Sequence, residues 1–405
     1  MTPTDPTTPA ALPLRYHPAD AEVWRDPYPF YRRLRDEDPV HKVGSGPRSF
    51  WVLSRFAEVF AAANNTETFS SARGLTYSGD EITDLGLAPT LVMMDKPRHT
   101  SFRRLVNSMF TPRVVAKLEP SIRTFTSAAV ERLAAMGEAD FVTEVSGPLP
   151  GLVVASYLGV PEADRARFGV WANAIVTANA GGNVIGDAAE AVGELYSYFS
   201  KLIDWRRADP GDDMLSVLAS SEVDGRPVSV EEILGFCFVM IAGGNDTAAG
   251  LLSGMAALLT EYMGERRRII DDPGLVAPAV EELLRMTTPV QGLSRTTMRP
   301  VEIEGTTVPA GVKVHLLFAS ANRDPREFGP DAETLDVSRR APRMLTFSSG
   351  PHHCLGAAAA RLQGRVVLEE LLRVVPDFVA DASDGRIAPG PFTRRFESLP
   401  IRVSA

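Results

Sequence analysis

The sequence contains little cysteine: Cys237 and Cys354 are the only two in 405 residues, and no C-x-x-C spacing occurs. This excludes a disulfide framework and fits a reducing compartment. G-x-G-x-x-G, P-loop and H-E-x-x-H sequences are also absent. We therefore expect no recognisable nicotinamide or flavin site in this chain.

The chain also lacks an excess of basic residues, with a net charge of −9. This argues against a generic nucleic-acid binder. No signal peptide or apolar anchor opens the chain, and residues 1–18 are rich in Thr and Pro. We predict a flexible tail over 1–18, a single domain over 19–405, no membrane association and a cytoplasmic location.

One long apolar stretch stands out. A Ser-x-x-Glu capping box at residues 229–232 predicts a helix that continues to about residue 262, and between Ile233 and Thr260 the only charge is Asp246. A transmembrane span is the competing interpretation. Gly-Gly-Asn-Asp at its centre and the lack of a second apolar span argue against it. A helix that is apolar on all sides is typical of a central buried helix.

Cys354 lies in an unusual loop, Phe-Ser-Ser-Gly-Pro-His-His-Cys-Leu-Gly, at residues 347–356. Gly350 and Pro351 predict a tight turn, and the alanines at 357–360 predict a helix that begins just after the cysteine. A helix N-terminus favours a thiolate, which serves as a nucleophile or a metal ligand. An inert buried cysteine is the third interpretation, but such cysteines lie within apolar periodic runs.

This loop resembles the haem-binding loop of the cytochrome P450 monooxygenases, in its residues Phe347, Gly350, His352, Cys354 and Gly356. The resemblance implies haem b as cofactor, with Cys354 as the axial thiolate that favours O–O cleavage. It also implies that His352 contacts a haem propionate. The chain departs from the family at Ser348, where glycine is common.

The centre of the long helix resembles the oxygen-activating motif of the same family. Gly243 and Gly244 would let the helix approach the haem, Thr247 would hydrogen-bond the bound oxygen, and Asp246 would relay protons. An acid–threonine pair alone is a weak signal. Its place in an apolar helix upstream of the cysteine loop makes it specific.

His99 and Arg103 are four residues apart, after Asp95 and Pro97, which predict a helix start with Asp95 as N-cap. The spacing alone favours an ordinary solvated basic face. The resemblance implies instead that both bind haem propionates, which suit a guanidinium. Arg295 matches a further propionate-binding arginine of the family.

Glu282 and Arg285 are three residues apart on a predicted helix. Such pairs are usually surface ion pairs of small energetic value. The resemblance to the family's Glu-x-x-Arg signature implies a buried structural pair that locks the core near the cysteine loop.

The implied fold is mainly α with a small β-rich portion: a single triangular P450 fold with a long central helix over the haem. Further predicted elements are helices over 27–38, 55–63, 162–179 and 188–207 and a strand over 50–53, with short strands after residue 289. The pair 162–179 and 188–207 is expected to form a lid. The expected pocket residues are Val239, Ala242, Gly243, Val290, Gln291 and Leu293, with the segments 73–92 and 170–190.

The resemblance implies a monooxygenase that inserts one oxygen atom from O₂ into a mostly apolar small molecule. Its electrons would come from a separate ferredoxin, or flavodoxin, with a reductase. A haem-thiolate peroxygenase or isomerase is one alternative, against which Asp246 and Thr247 argue. A non-enzymatic haem sensor is another, against which the absence of an output domain argues.

Five arginines lie between residues 338 and 368 without any Asp or Glu, in a chain that is acidic overall: Arg339, Arg340, Arg343, Arg361 and Arg365. They flank Cys354 in sequence. We interpret them as a docking patch for an acidic ferredoxin. The alternative is that each is paired with an acid elsewhere or with a propionate.

Overall fold

The computed structural model describes residues 14–77, 79, 90–181, 188–390 and 392–403. It is mainly helical. The α-helices span Ala21–Arg25, Tyr28–Glu37, Phe56–Asn64, Arg98–Asn107, Pro112–Val115, Glu119–Met136, Pro148–Tyr157, Arg165–Gly181, Ala189–Ala208, Met214–Ala219, Val230–Glu261, Met263–Asp271, Val276–Thr287, Phe318–Ala321, Pro325–Phe328 and Ala357–Val374.

The strands are short and form small sheets. They span β1 Val40–Val43, β2 Phe50–Leu53, β3 Phe69–Ser70, β4 Glu138–Asp140, β5 Glu222–Val223, β6 Arg226–Pro227, β7 Leu293–Thr297, β8 Val301–Ile303, β9 Thr306–Val308, β10 Lys313–Leu316, β11 Val379–Ala380, β12 Arg386–Ile387, β13 Phe396–Ser398 and β14 Pro400–Arg402. The largest sheet has the order β1-β2-β10-β7-β3, in which β10 runs parallel to β2. A second sheet has the order β11-β14-β4, and β5-β6, β8-β9 and β12-β13 form two-stranded pairs.

The central helix, Val230–Glu261, begins where the sequence predicts. The Ser229 hydroxyl accepts the Glu232 N–H, and the Glu232 carboxylate accepts the Ser229 N–H, so both bonds of the capping box are present. This is the one helix of the described chain that is long and apolar enough to cross a membrane, but half of its most apolar window is buried within the protein. It packs against seven other α-helices of the described chain, which agrees with the prediction of a central core helix.

Most predicted elements lie within three residues of the observed ones. The helices Arg165–Gly181 and Ala189–Ala208 are the pair expected to form a lid. The Gly-Gly break between them falls at residues outside the described ranges, apart from Gly181. Of the expected pocket segments, 78, 80–89 and 182–187 also lie outside them.

The predicted tail over residues 1–18 is wrong at its C-terminal end. Tyr16 is buried, and its ring packs edge-on against Tyr31 at 6.2 Å between centroids. The ring of His17 packs against Phe50 at 5.7 Å. Aromatic burial therefore ties the chain to the domain from at least Tyr16, a contact that the Thr/Pro-rich composition did not reveal. Residues 1–13 lie outside the described ranges.

Candidate active site

The loop Phe347–Gly356, which we call the Cys loop, is closed by a hydrogen bond from the Cys354 N–H to the Phe347 carbonyl at 2.9 Å. Gly350 has a φ of +69°, and a Cβ there would lie 2.8 Å from Asn64 Oδ1. The loop thus needs glycine for both conformation and space. The following helix begins at Ala357, so Cys354 lies just before its N-terminus, as predicted.

Ser348, the residue that departs from the family pattern, has a φ of +56°. It therefore adopts the left-handed conformation in which glycine is usual. Its hydroxyl is buried without a hydrogen-bond partner among the described residues. A serine in this conformation, with a buried hydroxyl that has no partner among the described residues, is expected to lower the stability of the turn.

The surroundings of Cys354 act on its pKa in opposite directions. Desolvation raises the pKa of the thiol, although one side of the residue is exposed. The N–H groups of Gly356 and Ala357 and the charges of Arg103 and Arg361 act to lower it. The N–H groups at the helix end thus act in the expected direction, but burial outweighs them, so that the pKa of the Cys354 thiol lies above its ordinary value.

The helix Arg98–Asn107 brings two predicted residues onto the Cys loop. The rings of His99 and His352 lie 4.2 Å apart, and Arg103 Nη2 donates to the His353 carbonyl at 2.5 Å. His99 is 3% exposed, and its Nε2 has no hydrogen-bond partner in the described chain. The solvated basic face that spacing alone favoured is therefore excluded for His99.

Asp95 does not cap this helix through its side chain, contrary to the prediction. The N-cap is Pro97, without a side-chain hydrogen bond. The Asp95 carboxylate instead accepts hydrogen bonds from the Ser70 hydroxyl at 2.5 Å and the Ser71 N–H at 3.0 Å. Asp95 thus joins the end of β3 and the residue after it to the segment just before the helix.

Arg295 is a buried cation from strand β7. It is 2% exposed and donates to the Ser294 carbonyl at 2.8 Å, but makes no ion pair with any residue that the structure describes. Burial lowers the pKa of Arg295 to about 10. The charges of Arg295, His99 and Arg103, after burial itself, lower the pKa of His352 to about 3.

The four predicted propionate-binding residues therefore converge from three elements: Arg98–Asn107, β7 and the Cys loop. Two of them carry buried groups that are incompletely paired: the Arg295 guanidinium has no ion-pair partner among the described residues, and His99 Nε2 has no hydrogen-bond partner there. A buried cation without a counter-ion is costly, and an anionic ligand removes that cost. This part of the structure fits a ligand with carboxylates beside Cys354.

The central helix presents Gly243 and Thr247 on one face, four residues apart. A Cβ at Gly243 would meet nothing within 4 Å, and the Thr247 hydroxyl donates to the Gly243 carbonyl at 2.7 Å. Gly244 faces elsewhere, since a Cβ there would lie 2.8 Å from Val154 Cγ2. The expectation that Gly244 adjoins the cofactor is therefore corrected: Gly244 permits close packing of the helix Pro148–Tyr157.

Asp246 is buried on the same helix and forms an ion pair with Arg395, with 2.6 Å between Asp246 Oδ1 and Arg395 Nε. The sequence analysis missed Arg395, since no motif surrounds it. Its side chain is 12% exposed. The ion pair joins the C-terminal segment to the middle of the central helix.

The residues expected to line the substrate pocket are mostly apolar, and one of them, Gln291, makes structural hydrogen bonds. Val290 and Leu293 are partly exposed, and Val290 forms a bridge with Thr393. Gln291 is 2% exposed and has a structural role: it accepts from Tyr31 Oη at 3.0 Å and donates to the Thr288 carbonyl at 2.7 Å.

Glu282 and Arg285 have fully buried side chains joined by two hydrogen bonds of 2.7 Å. This is the buried pair that the family resemblance implies, not the surface pair that spacing favours. Arg339 joins it, with Nε 3.0 Å from Glu282 Oε1. Arg339 therefore belongs to a buried cluster and is corrected as a docking residue.

Three further arginines of the predicted docking patch are also paired with acids. Arg343 binds Glu327, Arg361 binds Glu281, and Arg365 binds Glu119 and Glu369. Only Arg340 makes no ion pair with a described residue. The local excess of positive charge in the sequence is thus neutralised in space, because the acids arrive from distant segments.

Comparison with known proteins agrees with this geometry. The family model described as Cytochrome P450 matches residues 274–374, a stretch that contains the Glu282 cluster and the Cys loop. The protein called cytochrome P450 130 of Mycobacterium tuberculosis is 50% identical over 396 residues, which cover 96% of this chain and 97% of that protein.

Two further relatives carry names that mention a small molecule. The vitamin D(3) 25-hydroxylase of Pseudonocardia autotrophica is 36% identical over 359 residues, or 87% of each chain. The structure of a Mycobacterium marinum cytochrome P450 in complex with pseudoionone superposes with a TM-score of 0.86 at 31% identity, covering 97% of this chain and all of that one.

Proposed function

This chain belongs to the cytochrome P450 family and is a P450 monooxygenase, and we propose that it inserts one oxygen atom from O₂ into a mostly apolar small organic molecule. The observation that supports this best is the convergence of His99, Arg103, Arg295 and His352 beside Cys354. Membership of the family implies a haem-thiolate cofactor, a substrate, O₂ and a redox partner.

We propose haem b as the cofactor, with Cys354 as the ligand of its iron. The four basic residues would bind its propionates, which would satisfy the buried guanidinium of Arg295 and the unpaired Nε2 of His99. The remaining residues proposed to adjoin it are Phe347, Gly350 and Gly356 in the Cys loop and Gly243 in the central helix. The haem, when bound, supplies the iron at which O₂ is reduced and cleaved.

Thr247 and Asp246 supply the protons in this proposal. Thr247 now donates its hydroxyl proton to the Gly243 carbonyl, so it can switch that donor toward a bound substrate molecule or oxygen without a change of backbone. Arg395 Nε donates to Asp246 Oδ1 at 2.6 Å and fixes the direction of this carboxyl group. The proton would therefore be held or transferred at the Thr247 hydroxyl and at the Asp246 carboxyl group.

The proposed substrate is apolar because the described pocket wall offers little else. Val239, Ala242, Val290 and Leu293 are partly exposed side chains in an otherwise buried region. The charge nearest to them on the central helix, Asp246, is paired with Arg395. The vitamin D(3) named for one relative and the pseudoionone bound to another are mostly apolar molecules of this kind.

We propose a ferredoxin, or a flavodoxin, with its reductase as the electron source. Because most arginines of the sequence-based patch are paired with acids, we place the docking surface at three other exposed cations. These cations make no ion pair with a described residue: Arg104, Arg113 and Lys117. Arg104 lines a recess of about 290 Å³ with Pro351 of the Cys loop. The helix that contains Arg113 packs against Ala357–Val374. We further propose a single catalytic domain and a cytoplasmic location.

Reconstitution with haem, a ferredoxin, its reductase and ¹⁸O₂ tests this function. Candidate apolar compounds are first selected by the shift that they cause in the haem Soret band. We expect one ¹⁸O atom in the product. A chain that oxidises the same compounds only with peroxide would be a peroxygenase instead.

Replacement of the two cysteines tests the ligand. Cys354→His should retain haem and lose the thiolate-type spectrum of the reduced carbonyl complex. Cys237→Ser is the control, because Cys237 is buried in the central helix away from the loop. An unchanged spectrum in Cys354→His would remove Cys354 from the iron.

A further inference from the structure

Asn322 lies in the turn after the helix Phe318–Ala321, and its side chain is completely buried. It belongs to the segment Ala-Asn-Arg-Asp-Pro that precedes the Cys loop by about 25 residues. None of the steps proposed above uses it. A fully buried amide needs all its hydrogen bonds, so its partners show what it holds in place.

The amide makes three hydrogen bonds, and two of them reach the entry of the Cys loop. Asn322 Oδ1 accepts the Leu345 N–H at 2.7 Å, and Nδ2 donates to Thr346 Oγ1 at 2.9 Å. The third runs from Nδ2 to Thr288 Oγ1 at 2.8 Å, at the end of the helix Val276–Thr287. One side chain thus joins that helix end to the two residues that precede Phe347.

Bonds on both sides of Asn322 extend this connection. Upstream, Arg285 of the buried cluster donates to the Asn322 carbonyl at 2.6 Å. Downstream, the Leu345 carbonyl accepts the Ser348 N–H at 2.9 Å, and the Phe347 carbonyl accepts the Cys354 N–H at 2.9 Å. A continuous series of hydrogen bonds therefore runs from the Glu282–Arg285 pair through Asn322 to the cysteine.

We propose that Asn322 is a positioning residue for Cys354, which holds the entry of the Cys loop so that the sulfur would be oriented to bind the iron of the haem. The inference rests on the proposed role of Cys354 as the iron ligand. Its function is distinct from that of the Glu282 cluster, because Asn322 bonds directly to Leu345 and Thr346, whereas the hydrogen bonds of Glu282, Arg285 and Arg339 go to other residues.

The geometry requires an amide at this position. The Thr288 hydroxyl donates its proton to the Arg285 carbonyl, and the Thr346 hydroxyl donates its proton to the Leu284 carbonyl. Both hydroxyl oxygens can therefore only accept from Asn322. An aspartate would place a carboxylate oxygen against two acceptors, and an alanine would leave three buried groups unpaired.

The test uses the holoenzyme of Asn322→Asp and Asn322→Ala. We expect a growing fraction of the reduced carbonyl complex to lack the thiolate-type band, and a changed reduction potential. In hydrogen exchange, the peptide over residues 344–356 should exchange at least about tenfold faster, because each lost buried hydrogen bond favours opening by about that factor.

Thr260→Val is the matched control. The Thr260 hydroxyl also bridges two elements, donating to the Ala256 carbonyl at 3.0 Å and accepting the Ala380 N–H at 2.9 Å, but it lies at the end of the central helix. We expect a lower melting temperature with an unchanged spectrum and potential. If the Asn322 variants behave in the same way as this control, the proposal is wrong.

Thr346→Val covers the case in which neither Asn322 variant folds, because it removes one of the three Asn322 bonds, together with the bond from Thr346 to the Leu284 carbonyl, and keeps the other two Asn322 bonds. Faster exchange of residues 344–356 with partial loss of the thiolate band supports the proposal, and an unchanged spectrum and exchange rate overturn it. A parent protein without a thiolate-type spectrum would instead refute the role of Cys354, so the two failures are distinguishable.

Discussion

The Nε atom of Arg395 lies 2.6 Å from the Oδ1 atom of Asp246, although 149 residues separate them in the sequence. Asp246 is the one charge in the apolar part of the central helix, and Arg395 is its ion-pair partner within the described chain. Arg395 comes from the segment just before β13, which also carries Thr393 in a bridge with Val290. This segment therefore contacts both Asp246 and one of the residues proposed to line the pocket.

Arg395→Gln should destabilise the fold by about 3 kcal/mol, because it removes the charged partner of the buried Asp246 carboxyl group. The double variant Arg395→Gln with Asp246→Asn should lose less free energy of unfolding than the sum of the losses in the two single variants. Chemical denaturation of the three variants measures the difference. We also expect the single variant to turn over about tenfold more slowly, since the carboxylate loses its fixed direction.

Arg386→Gln is the control for this pair. Arg386 lies 3.6 Å from Glu397 in an ion pair that is exposed on both sides, within the same C-terminal hairpin. It should change stability by less than about 0.5 kcal/mol. Strictly additive losses for Asp246 and Arg395 would show that the observed contact contributes nothing.

Thr247→Ala should still consume O₂ and reductant while diverting much of both to hydrogen peroxide, because the hydroxyl that holds the proton is gone. Peroxide formed per O₂ consumed is the measurement. Ser253→Ala serves as control, since its hydroxyl makes the same kind of bond, to the Ala249 carbonyl at 2.6 Å, at a fully buried position of the same helix. Equal coupling in both variants would leave Thr247 a packing residue.

Ser348→Gly should raise the free energy of unfolding by about 1 kcal/mol, because glycine tolerates a φ of +56° and removes a buried hydroxyl without a partner. Ser349→Gly should do the opposite. Ser349 has an extended backbone, and its hydroxyl accepts from Asn64 Nδ2 at 3.0 Å. Thermal unfolding of the two holoenzyme variants measures both changes in stability. A loss of stability in Ser348→Gly would show that Ser348 is not strained in this conformation.

Arg104→Glu combined with Lys117→Glu should slow haem reduction by the ferredoxin and remove much of its dependence on salt, without altering the Soret shift caused by substrate. Exposed charges steer association within a Debye length of about 8 Å at physiological salt. Stopped-flow reduction across an ionic-strength series is the measurement.

The comparison variant is Arg340→Glu with Arg343→Glu, which changes the net charge equally. We expect this variant to slow haem reduction less than Arg104→Glu with Lys117→Glu does, because Glu327 already neutralises Arg343. If this variant slows haem reduction more than the Arg104 and Lys117 variant does, the ferredoxin docks at the sequence-based patch around the Cys loop and not at the surface of Arg104, Arg113 and Lys117.

The sequence alone determined the parts of this protein that depend on neighbours along the chain. The capping box at Ser229 and the apolar run behind it predicted the central helix to within one residue of its end. The spacing within residues 347–356 indicated the Cys loop, because its turn and the following helix are formed by local bonds. The family resemblance then implied which basic residues converge on it.

Only the tertiary structure decided which charges meet. It paired Asp246 with Arg395, moved Arg339 into the Glu282 cluster, and neutralised three further arginines that the sequence presents as one basic run. It also turned Gly244 toward Val154. The physical reason is that an ion pair or a close contact depends on distance in space, and the partner acids come from segments up to about 250 residues away, at separations over which no sequence period persists.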